Sequence, residues 1–98
     1  FLLQKTISEV NDMQQRVAMI GIIVENSDSV EPLNQLLHQY KDYIIGRMGI
    51  PYRERKINII SIVLDASPDV ISSLAGKVGM LSGVTAKAVY SKTPEKNA

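Results

Sequence analysis

Ninety-eight residues suit one domain, and with 45% of them hydrophobic the chain can bury a core without covalent staples. The absence of cysteine excludes disulfides, thiol catalysis, iron–sulfur ligation and thiolate zinc sites together. A net charge of +1 argues against a dedicated nucleic-acid surface, so direct nucleic-acid binding is not expected.

No apolar run approaches the roughly 20 residues that span a bilayer. Phe1-Leu2-Leu3 lacks the basic and long apolar regions of a secretory signal. The expected setting is cytoplasmic, with no membrane partner. Residues 1–15 read as an N-terminal arm or a vector remnant. Leu3, Ile7 and Val10 recur at helical spacing there, and Met13 is the natural beginning if the first dozen residues are foreign or over-long.

Val17 to Glu25 is a β-branched apolar run with an acidic stop, which predicts a first strand. Asp28 or Ser29 then caps a helix with Pro32 in its first turn, and Val30, Leu33, Leu36, Leu37 and Tyr40 face inward. Tyr43 to Ile50 forms a second strand ended by Pro51, and Tyr52 to Arg55 connects it to the next. Lys56 to Asp65, KINIISIVLD, is the longest apolar run and the third strand. Ser67 is an N-cap with Pro68 at the first helical position and Asp69 at the positive helix end. Val70, Ile71, Leu74, Val78 and Leu81 form the stripe of that second helix. Gly76 there suggests close packing on the sheet, and Gly79 a C-terminal stop. Gly83 to Tyr90 is the fourth strand, and residues 92–98 form a polar tail expected to be disordered.

The chain repeats itself at an offset of forty residues. Val17 matches Ile57, Met19 matches Ile59, Ile22 matches Ile62, Glu25 matches Asp65, Ser27 matches Ser67 and Arg47 matches Lys87. Two copies are too few for a solenoid. They are what an α+β, ferredoxin-like βαββαβ sandwich needs: an antiparallel sheet in the order 4-1-3-2 with two helices on one face, spanning residues 16–91.

Alternation along the matched strands assigns Ile20, Ile22, Val24, Ile60, Ile62 and Leu64 to the helix side. The odd positions, including Val17, Met19, Gly21, Ile57, Ile59 and Ser61, are still mostly apolar, although no helix is expected to cover them. A face meeting water alternates to polar residues. The odd face is therefore expected to be an oligomer interface, making the protein its own partner as a homodimer or homotetramer.

Chemistry-bearing motifs are few. His38, the only histidine, lies near the end of the first helix and reads as a surface residue, so no metal site is expected. First and third strands without Phe, Tyr or Trp lack the stacking platform of an RNA-binding sheet. No Ser-His-Asp set, carboxylate pair or glycine-rich phosphate loop is evident, so no catalytic residue and no enzyme are expected. Asn26, Ser27 and Asp28, in the loop leaving the first strand, are a candidate anion-binding set at a helix N-terminus. Arg47 joins them as a ligand-binding candidate: with Arg53, Arg55 and Lys56 it makes a basic cluster, and with Lys87 it is expected to line or rim the odd face.

Three segments carry a resemblance. They are Arg16 to Glu25, RVAMIGIIVE; Asp42 to Arg53, DYIIGRMGIPYR; and Leu74 to Lys87, LAGKVGMLSGVTAK. They resemble a small family of candidate regulators of the iron-only hydrogenase system, with Gly46 to Arg53 the most specific part. The resemblance implies an ACT-like fold, similar also to the C-terminal domain of nickel-responsive repressors, and an oligomeric regulatory domain without its own DNA-binding part. It transfers no ligand and no catalytic residue. The repressor's nickel ligands, mostly histidines with a cysteine, have no counterparts here. The resulting expectation is a non-enzymatic domain that senses a small-molecule effector or docks a protein partner in iron-only hydrogenase regulation or maturation. A purely structural oligomerisation module and a metal-responsive transcriptional regulator are the alternatives.

Overall fold

The structure, a computed structural model, describes residues 15–92. The arm expected over residues 1–15 and the tail expected over 92–98 lie outside the described residues, save for Gln15 and Lys92. Strand β1 (Arg16–Val24) buries Ala18, Ile20, Ile22 and Val24 and turns the residues between them outward. Strand β3 (Ile57–Ala66) repeats the pattern with Ile60, Ile62, Leu64 and Ala66. The two pair antiparallel, with β2 (Ile44–Tyr52) outside β3 and β4 (Val84–Tyr90) outside β1, which gives the order β2-β3-β1-β4. That is the expected order read from the other edge.

The register carries the internal repeat into space. Gly21 lies opposite Ser61, its own counterpart at the offset of forty, so a local pseudo-two-fold axis passes through this pair. Helix α1 (Val30–Gln39) and helix α2 (Pro68–Gly79) cover the even face. Leu33 and Leu37 of α1 and Ile71, Leu74 and Val78 of α2 are buried against Ile20, Ile22, Ile60, Ile62 and Leu64. Each buried aliphatic side chain contributes about 1.5–3 kcal/mol, so this layer is the main source of stability.

Local chemistry departs from expectation in several places. Ser29 stands at the N-cap position of α1 but makes no side-chain capping bond, and Asp28 lies one residue too early to cap it. Asn26 accepts the Asp28 amide at the head of a 3-10 turn over Ser27–Ser29, and the α-helix starts at Val30. Ser67 does cap α2, accepting from the Val70 amide. Gly76 has nothing within 4 Å of where a Cβ would stand, so close packing on the sheet is not its role. Gly79 is the last residue of α2, but the left-handed backbone lies later, at Gly83 with φ 68°. Pro51 does not end β2. The strand continues through it to Tyr52, because an edge strand has a side on which a missing N–H costs nothing. Arg53–Arg55 then form a 3-10 turn, closed by Lys56 in the left-handed region, so β3 begins at Ile57.

Candidate functional site

The side of the sheet away from the helices is open. All six residues singled out for it, Val17, Met19, Gly21, Ile57, Ile59 and Ser61, share this face, as the pairing register and strand alternation require. Val17 (44% exposed), Met19 (48%), Ile23 (42%) and Ile59 (39%) sit on the two central strands, where side chains are normally the best covered. The outer strands extend the apolar surface. Met48 lies beside Ser61, Ile50 beside Ile59, Tyr52 beside Ile57, and Val89 beside Met19. Met48 and Val89 are each 66% exposed. At the centre Gly21 and Ser61 leave a shallow trough between larger neighbours, with Lys87 next to Gly21 as the nearby charge.

The contribution of β2 was missed in the sequence for one reason. A register irregularity between Ile44 and Gly46 inserts Ile45 as an extra residue. Beyond it the faces exchange. Met48, Ile50 and Tyr52 turn to the open side, and Arg47, paired with Ile62, turns to the helix side. The expectation that Arg47 lines or rims the odd face with Lys87 is therefore corrected. Lys87 sits on that face opposite Gly21, whereas the bulge breaks the repeat and separates the two.

Arg47 also stands apart from Asn26, Ser27 and Asp28. Its Nη2 donates to Asn34 Oδ1 at 2.8 Å, on the outer face of α1. The Asn26 loop is tied instead to the connection between α2 and β4. Asn26 Nδ2 donates to Ser82 Oγ at 3.1 Å, the buried Ser29 hydroxyl donates to the Ser82 carbonyl at 2.6 Å, and the Glu25 amide donates to the Gly83 carbonyl at 2.7 Å. These bonds tie the two halves of the repeat together.

Between α1 and β2 lies an open cleft of about 300 Å³ lined by Asn34, Leu37, His38, Lys41, Ile44 and Arg47. Leu37 is buried and Ile44 half-buried, so the floor is apolar and the rim is nitrogen-rich. Sequence reasoning separated His38 from Arg47, because only the bulge brings β2 to present Arg47 toward α1. Across the helices, Lys77 Nζ donates to Tyr40 Oη at 3.0 Å and Ser73 Oγ lies 3.1 Å from the same oxygen. The Lys77 hydrogen bond foremost, and then that of Ser73, hold the Tyr40 phenol below the usual tyrosine range. Among the described residues no group of three His, Cys, Asp or Glu side chains gathers at one point, and no helix is long and apolar enough to cross a membrane.

Fold and surfaces together define a ferredoxin-like α+β domain with an exposed apolar sheet face and an open cleft between α1 and β2. The chain belongs to the TM1266-like family, described as candidate regulators of the iron-only hydrogenase system, whose profile matches residues 16–88. It is similar to the TM1266 protein of Thermotoga maritima, with 37% identity and a TM-score of 0.77 over 80% of this chain and 99% of that one. Two solved structures at 10% identity share the fold alone. The C-terminal domain of the MgtC protein from Mycobacterium tuberculosis has a TM-score of 0.65 over 85% of this chain and 95% of that one. A formyltetrahydrofolate deformylase from Pseudomonas putida has a TM-score of 0.55 over 74% of this chain and 28% of that one. Comparison with curated proteins gives no match.

Proposed function

We propose that this is a non-enzymatic regulatory module that works as a homo-oligomer, joined through its helix-free sheet face. In that form it senses a small effector or docks a partner in iron-only hydrogenase regulation or maturation, in the cytoplasm. Membership of a family described as regulators supports the regulatory part. One observation carries the rest: large apolar side chains from all four strands stand exposed, from 39% at Ile59 to 66% at Met48 and Val89, on the side the helices leave bare. A solvated antiparallel face alternates to polar residues, and this one does not. A second copy is the occupant with the simplest geometry, because a two-fold contact lets the bulk of Met19 and Ile59 fill the trough at Gly21 and Ser61 of its mate.

Sedimentation velocity at micromolar concentration tests this. The wild-type chain is expected to sediment as a dimer or larger assembly. Ile59→Glu places an unpaired charge at the centre of the contact and is expected to weaken association by about 2 kcal/mol or more, roughly 30-fold. A wild-type monomer overturns the proposal.

A further inference from the structure

We infer that the cleft between α1 and β2 binds a small organic anion, a carboxylate or phosphate ester with a short apolar body, and that Arg47 grips its charged end. The inference rests on the regulatory reading and supplies the chemical class of the effector.

The first support is asymmetry within a duplicated chain. In the repeat Arg47 corresponds to Lys87, which lies on the open face opposite Gly21. The bulge at Ile44–Gly46 gives Arg47 the other side of the sheet, so this cation has been re-aimed in one half only. Bulges are often used to redirect a single side chain at a site.

The second support is the composition of the cleft. Its rim carries a guanidinium from Arg47, an ammonium from Lys41, an imidazole from His38 and an amide from Asn34, and no carboxylate is among the lining residues. Asn34 Oδ1 accepts one N–H of Arg47 at 2.8 Å, which holds the guanidinium beside α1. Arg47 has five N–H donors in a rigid fork, so a ligand still finds the paired donors that suit carboxylate and phosphate oxygens. Lys41 adds a mobile point charge and His38 a ring nitrogen.

Size and polarity narrow the class. The volume of about 300 Å³ is at the small end of ligand sites and exceeds what a bare inorganic anion fills. Leu37 and Ile44 give the remaining space an apolar floor. A polyanion is a poor fit to a chain of net charge +1.

Phenyl phosphate is a suitable probe, titrated into the full 98-residue chain at constant ionic strength and followed by amide NMR. Saturable shifts are expected at Asn34, His38, Lys41 and Arg47, with no saturable response to benzyl alcohol, which lacks the charge. Arg47→Gln is expected to weaken binding about tenfold or more while the spectrum stays dispersed. Asn34→Asp, which supplies Arg47 with an internal carboxylate, is expected to weaken it as well. Shifts that never saturate, shifts centred on Asn26 to Asp28, or unchanged affinity in both variants overturn the inference. Diffusion measurements on the same samples separate it from the reading beneath it. A monomer that still binds phenyl phosphate at the cleft refutes self-association only, and an oligomer that ignores the probe refutes the anion site only.

Discussion

Tyr40 has its phenol oxygen between two groups of α2, Lys77 at 3.0 Å and Ser73 at 3.1 Å, and the Lys77 ammonium lies 5.3 Å from the ring centre. Donors at the oxygen favour the phenolate, which lowers the pKa from its ordinary value of 10.0. The sign of the linkage follows. With the folded value below the unfolded one, ionisation of Tyr40 stabilises the fold above the unfolded value, and that contribution is lost as pH falls through the folded value. At neutral pH it is absent. Phenolate absorbance should therefore show one tyrosine component titrating below the ordinary range. Tyr40→Phe should remove that component and Lys77→Met should move it back toward the ordinary range. A titration indifferent to Lys77→Met would sink the assignment.

At the scale of elements, the connection leading into β4 depends on one glycine. Gly83 has φ 68°, and a Cβ there would stand 2.7 Å from Asn26 Cβ and 3.1 Å from its amide nitrogen. The same connection accepts the Glu25 amide and the Ser29 hydroxyl, so it cannot retreat without breaking both bonds. Gly83→Ala is expected to cost about 1–3 kcal/mol from backbone strain alone, with the clash adding to it. For a domain of this size that lowers Tm by roughly 4–8 °C per kcal/mol, readable by calorimetry. The elements show where the sequence could be read. Alternation gave the buried faces of β1 and β3 because both are regular ladders, and Ser67-Pro68-Asp69 announced α2 through cap chemistry. Edge strand β2 was the exception. Nothing in IIGRMGIPY signals that Ile45 is an extra residue, since a bulge is set by tertiary pairing and not by local propensity. That one residue decided where Arg47, Met48, Ile50 and Tyr52 point, so the cleft was invisible and the open face looked smaller than it is.

For the molecule as a whole, the decisive fact is that the helix layer covers only one of the two faces of the sheet. The helices shield Ile20, Ile22, Ile62 and Leu64 completely, while Met19, Ile23, Met48, Ile50 and Val89 on the opposite side meet solvent in an isolated chain. If a second copy supplies the missing layer, folding and association are one equilibrium, and stability depends on protein concentration. Each tenfold rise in concentration then adds about 1.4 kcal/mol per dimer, or about 0.7 kcal/mol per chain. With the sensitivity of a domain this size, Tm should climb by roughly 3–6 °C per tenfold over about a hundredfold range. Ile59→Glu should flatten that dependence, and it should do so without disturbing the core, because Ile59 points away from the helices. The slope separates the two classes of explanation cleanly. A lone domain whose apolar face is merely tolerated has a concentration-independent Tm, and a flat wild-type curve would leave the bare sheet face without a second copy to cover it.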